Sequence, residues 1–174
     1  MKWIFRFVVL VVVVYGGQTA FRQISLAHER YELRKQVQAQ IEALPAAQRR
    51  AAALGVYLSF YWSGSNLLPT VCKKEGVDLS DYQRAYADRY AAEHDRVRAA
   101  YRSVGGSEQA IISALSAGSS DVFKKALLRA ADISHSGDSM ADGCRAILKK
   151  QDKVLDRMNF AETFPYVWGV ADVR

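Results

Sequence analysis

Between Ser80 and Arg102 the chain runs without a glycine or proline, and tyrosine returns at positions 82, 86, 90 and 101. At about 100° per residue, Leu79, Tyr82, Tyr86, Tyr90, Val97 and Tyr101 fall on one stripe. Arg84, Asp88, Asp95 and Arg98 occupy the other side. Such a stretch folds as an amphipathic helix with its tyrosines against a core, where each ring is buried and each hydroxyl seeks a partner. Asp78 or Ser80 can cap it, because a short side-chain oxygen accepts from a free first-turn N–H. Asp81 adds negative charge where the helix dipole favours it.

Glu93 interrupts the stripe. It projects to the side of Tyr86, Tyr90 and Val97, with His94 at the edge. A carboxylate among apolar rings is driven towards its neutral form unless a cation or a donor meets it. One reading is structural: Glu93 sits at a rim, or bonds a tyrosine hydroxyl or an arginine. The other makes Glu93 a tuned acid in a cleft with Asp95 or Asp88 as partner. Glycan-cleaving enzymes use such a pair, with carboxyl groups about 5–9 Å apart.

The rest of the chain shares the helical character. Half its residues are hydrophobic, only three are proline, and no strand-like alternation bounded by turns occurs. A length of 174 residues suits one domain with a sizeable core. The expected class is all-α, a single bundle of about five to six helices behind an N-terminal hydrophobic segment.

Phe21 to Leu44 carries a narrow apolar stripe of Leu26, Leu33, Val37, Ile41 and Leu44, enough to pack on one partner. Pro45 stops that helix and starts the next. Ala51 to Trp62, AAALGVYLSFYW, is apolar on all sides and marks a helix at the centre of the bundle. SGSN at 63–66 reads as a turn and LLPTVC at 67–72 as a short connector. An uncharged second membrane span over 51–72 is opposed by Ser63, Gly64, Ser65, Asn66 and Pro69. Ser107 caps a short helix carrying Ile111, Ile112 and Leu115, and a further helix spans Val122 to Ile133. HSGDS at 135–139 reads as a loop. The last helix places Cys144, Ile147, Leu148, Leu155 and Met158 on one face. The tail holds Phe160, Phe164, Tyr166 and Trp168, aromatics that dock on the bundle or form a binding surface for a partner.

Residues 1–20, MKWIFRFVVLVVVVYGGQTA, read as a signal peptide or a signal-anchor, leaving residues 21–174 as an exported helical domain. Lys2 and Arg6 give the positive end, and the uncharged run Phe7–Tyr15 is nine residues long. A membrane span needs about 20 apolar residues, so this length suits a secretory signal better. The small-x-small cleavage pattern is missing, which keeps a retained anchor open. Export agrees with the cysteine count. Cys72 and Cys144 are the only two, and an oxidising compartment favours a bridge between them. The expected location is the periplasm or the extracytoplasmic face of the inner membrane.

The net charge of +6 includes Lys2 and Arg6 of that segment. The pairs Lys73-Lys74, Lys124-Lys125 and Lys149-Lys150 lie scattered among acids, without the basic stripe of a nucleic-acid binder. Phosphate-loop, nucleophile-elbow, HExxH and CxxC patterns are absent. His28 and Glu32, spaced as one helical turn, are too few for a metal site, and His135 reads as a loop residue. Asp138 and Asp142 lack the alternation of a calcium loop. The sequence calls for no cofactor and no metal. It points to a binding or scaffold protein of the cell envelope with a protein partner, and to the membrane as well if residues 1–20 are retained. The alternatives are an envelope glycan hydrolase using Glu93, or an inhibitor or immunity-type protein. Deleting residues 1–20 should leave the protein in the cytoplasm on fractionation, and normal export of the shortened chain would refute the signal.

Overall fold

The computed structural model describes residues 26–117 and 139–173. Among them every regular element is helical. They are α1 (Leu26–Glu42), α2 (Ala46–Trp62), a π turn (Ser63–Leu67), α3 (Leu68–Lys74), α4 (Ser80–Ser103), α5 (Glu108–Ala117), α6 (Met140–Lys149), α7 (Gln151–Arg157), α8 (Phe160–Thr163) and α9 (Pro165–Ala171). The expected all-α class is therefore found. The segments outnumber the expected five to six helices because several rods are broken by kinks rather than by loops. The helix expected over Val122–Ile133 and residues 1–20 lie outside the described residues.

α2 is the centre. Its residues from Ala53 to Ser59, and Tyr61, are buried, and it packs against α1, α4, α5 and α9. That matches its all-round apolar sequence. Pro45, extended at φ −53° and ψ 140°, sets the start of α2 without a side-chain cap. Arg49 closes the end of α1 instead: its Nε donates to Leu44 O at 2.9 Å and its Nη2 to Glu42 O at 2.9 Å. Orphan carbonyls at a helix end are satisfied in this way.

SGSN is not a turn. α2 passes through the π turn into α3, and the expected LLPTVC connector is helical as well. Two serines help to hold the helix through this region. Ser59 Oγ donates to Gly55 O at 2.9 Å, and Ser63 Oγ to Ser59 O at 2.7 Å, each bonding back one turn rather than leaving the helix. Leu68 N–H reaches back to Ser63 O, the register shift of a π turn, just before Pro69, which has no N–H to donate. No helix among the described residues is long and apolar enough to cross a membrane.

α4 buries Tyr82, Tyr86, Tyr90, His94, Val97 and Tyr101 along one face. The tyrosine stripe is thus core. Its cap comes from Asp78, whose Oδ1 accepts Ser80 N–H at 2.9 Å, while Leu79 occupies the N-cap position without a side-chain bond. Gly105, at φ +79°, takes the left-handed conformation that turns the chain towards α5, and Ser107 Oγ accepts Ala110 N–H at 3.4 Å.

α6 starts on a capping box. Ser139 accepts from Asp142 N–H at 3.2 Å, and the Asp142 carboxylate takes the Ser139 backbone N–H at 3.2 Å. The Ser139 hydroxyl, then the Arg145 guanidinium, hold the Asp142 carboxyl down at about 2. Capping explains this aspartate, which the sequence shows only as a failed calcium ligand. The expected continuous last helix is interrupted at Lys150, at φ −127°, so its apolar phase is reset. Cys144 and Ile147 face inward on α6, and Val154 and Leu155 on α7. Leu148 is exposed, contrary to its expected inward position, because Gly143, Cys144 and Ile147 centre the buried face.

Cys72 on α3 and Cys144 on α6 form a disulfide with a Cα–Cα distance of 5.5 Å, and both are fully buried. The bridge spans 72 residues of sequence, a loop whose closure restricts the unfolded chain by roughly 4 kcal/mol in the entropy model.

The tail docks on α2. Phe160, Phe164, Val167 and Ala171 are buried, and Arg50 Nε donates to Ala171 O at 3.2 Å. Phe160 packs edge-on to Tyr57 at 5.1 Å and to Phe60 at 5.4 Å.

Gly64 is where the π turn meets α4 most closely: a Cβ there would stand 2.8 Å from both the Tyr86 ring and the Met158 methyl. Gly64→Ala should therefore destabilise the fold by about 1–3 kcal/mol, the usual cost of overpacking. A melting curve checks it, and an unchanged melting temperature would show that the contact yields.

Candidate functional site

Two neighbouring residues on α4, Glu93 and His94, carry the polar chemistry of the core. They face different surroundings.

Glu93 is half-buried on the side of α2. Burial raises its pKa, and the Tyr57 hydroxyl and then the Arg96 guanidinium hold that rise back. Tyr57 feels the reverse: burial first, then the Glu93 charge and the bond to it, push its phenol far above the ordinary range. Glu93 Oε1 is nonetheless buried without a hydrogen-bond partner among the described residues. Of the partners that the structural reading names, the Tyr57 hydroxyl stands by the carboxyl, while Arg96 acts on it only through its charge. The proposed catalytic partners are elsewhere. Asp95 is exposed and accepts Arg98 Nη2 at 2.7 Å, and Asp88 is exposed too. At about 100° per residue both point well away from Glu93.

His94 is the more enclosed, at 7 % exposure. Its ring stacks on Tyr61 with centroids 3.9 Å apart and planes within 10°, and meets Trp62 edge-on at 5.9 Å. His94 Nε2 lies 2.7 Å from Glu108 Oε1, and Trp62 Nε1–H donates to the same oxygen at 2.8 Å. With the proton on Nε2, His94 donates to a carboxylate oxygen that takes both bonds. The His94 and Glu108 side chains are 9 % and 13 % exposed. Charge-assisted bonds in such a setting are among the stronger ones, so the trio pins α5 to α2 and α4.

That network was invisible in the sequence. Glu108 reads there as a first-turn helix residue, and His94 and Glu108 stand 14 positions apart with no spacing signal. Only the turn at Gly105 brings them together. The His–carboxylate pair orients an imidazole in the way a general base is oriented, but no serine, threonine or cysteine among the described residues is bonded to His94. Both cysteines are in the disulfide. Among the described residues no three His, Cys, Asp or Glu side chains gather as metal ligands would. The side chains of His28 and His135 lie outside the described residues.

The tail aromatics divide. Phe160 and Phe164 are buried in the core and cannot serve as the expected binding surface, because their rings fill the space against Phe60 at 5.4 and 6.0 Å. Tyr166 and Trp168 are half-buried, with Trp168 5.8 Å from the Tyr57 ring.

The raised pKa of Glu93 fixes the sign of a pH effect. The folded state holds the Glu93 proton more tightly than the unfolded chain, so stability falls as pH rises through and above the ordinary value of 4.5. Glu93→Gln removes that loss. Its melting temperature should exceed wild type at pH 7 and match it near pH 4; a variant less stable at pH 7 would show that the carboxylate is favourably bonded. Comparison of the chain with protein-family models, curated proteins and solved structures finds no match in any of the three.

Proposed function

We propose that this chain is an exported, disulfide-stapled helical domain that binds or scaffolds another protein in the cell envelope. The observation that carries the reading is the buried Cys72–Cys144 bridge joining α3 to α6. Disulfides persist in oxidising compartments and are rare in the cytosol. The basic and apolar residues 1–20 add a signal or a retained anchor to the same account. Tyr166 and Trp168, half-buried at the rim of the docked tail, are the aromatic surface left for a partner.

The glycan-hydrolase reading loses support because neither Asp88 nor Asp95 faces Glu93. The inhibitor or immunity reading drew on an exposed aromatic tail, and two of the four rings are core.

The bridge is tested directly. Peptide mapping without reductant, on protein freshly isolated from the envelope, should show the Cys72 and Cys144 peptides linked; two free thiols would overturn the reading. Cys144→Ser should cost about 2–5 kcal/mol in stability, as loss of a native bridge does in small secreted domains.

A further inference from the structure

We propose that the Asp142–Gly143 step at the start of α6 is a site of spontaneous covalent modification, where succinimide formation turns Asp142 into isoaspartate, and that Ser139 keeps the site closed in the folded chain.

Asp142–Gly143 is the one Asp-Gly step in the sequence, and no Asn-Gly step occurs. The chemistry needs two groups to meet. The Gly143 amide nitrogen bonds to Asp142 Cγ, and its proton and the carboxyl hydroxyl leave together as one water. Water then opens the ring at either carbonyl. Attack at Cγ restores aspartate, whereas attack at the main-chain carbonyl leaves the chain running through Cγ, with no net gain or loss of atoms. Glycine, lacking a Cβ, hinders this closure least. The reaction requires a nitrogen free to attack, a neutral carboxyl able to lose its hydroxyl, and a backbone free to rotate.

All three are denied in the folded chain, and Ser139 takes part in each. Its carbonyl oxygen accepts the Gly143 N–H at 3.1 Å. Its hydroxyl and its backbone N–H donate to Asp142 Oδ2 at 2.6 and 3.2 Å, while Arg145 Nη2 donates to Oδ1 at 2.6 Å. Bonds donated to the charged form keep a carboxyl ionised, and an ionised carboxyl resists attack by the nitrogen. The Ser139 hydroxyl oxygen also accepts the Asp142 N–H at 3.2 Å, which closes the capping box and fixes the first turn of α6.

The hold is local. Ser139, Asp142 and Arg145 are exposed, whereas Gly143 is buried. A terminal turn opens at far less cost than the whole domain. Opening this one frees the nitrogen, the carboxyl and the backbone together. The product lies beside the anchor of α6, since Gly143 is followed by Cys144 of the bridge. Isoaspartate lengthens the main chain there by one carbon and moves the carboxylate onto Cα, so the capping box is lost.

The test ages the full chain, disulfide intact, for several weeks near neutral pH at body temperature. Wild type, Ser139→Ala and Ser139→Thr are compared with wild type held unfolded in urea, and circular dichroism shows which chains remain folded. Isoaspartate at position 142 is measured by peptide mapping with electron-transfer fragmentation. The unfolded chain should convert fastest and Ser139→Ala several-fold faster than folded wild type. Ser139→Thr keeps a capping hydroxyl and should stay at the wild-type rate. Equal conversion in folded wild type and Ser139→Ala, or in folded and unfolded wild type, overturns the guard. An unfolded chain that gains no isoaspartate at position 142 overturns the site itself.

Discussion

The stacking of α4 on α2 is the contact from which the other elements take their places. Tyr61 of α2 meets Tyr86 at 5.5 Å and His94 at 3.9 Å, and Tyr57 faces Glu93. Everything else is added to this pair. α5 is tied to it through Glu108, α7 through the Tyr90 hydroxyl, which donates to Leu155 O at 2.7 Å, and the tail through Tyr57 and Phe60. Ring area supplies the driving force, and at Tyr90 the hydroxyl adds a specific partner in Leu155 O.

The ring hydroxyls are not all matched. Tyr82 and Tyr101 carry buried hydroxyls without a partner among the described residues, as does Ser65 beside the π turn. An unmet buried donor costs about 1–3 kcal/mol, which is large against the total stability of a domain. The fold therefore sets ring packing above hydrogen bonding in this region. At Gly106 the same priority is visible, since a Cβ there would stand 2.5 Å from the Tyr101 ring.

What the sequence made legible was periodicity, and what it hid was anything set by chain reversal. The stripe Tyr82, Tyr86, Tyr90, Val97 and Tyr101 and the apolar rod Ala53–Tyr61 follow from a 3.6-residue repeat, and both are buried. The π turn is hidden because glycine and serine read as breakers, whereas Ser63 bonds back to its own helix. Spacing alone puts Leu148 inward, whereas Gly143, Cys144 and Ile147 centre the buried face of α6. Glu108 gave no signal, because its role exists only after α5 folds back on α4. Glu93 was partly legible: a carboxylate in an apolar stripe must find a donor, but the identity of Tyr57 as that donor lies on another helix.

The disulfide has a covalent consequence separate from its energy. Residues 118–138 fall within the loop that Cys72 and Cys144 close. A single peptide bond cut anywhere in that stretch breaks the polypeptide yet leaves its two pieces joined through sulfur. Such a nicked molecule keeps the mass of the intact chain apart from one added water, and it migrates as two fragments only after a thiol has opened the bridge.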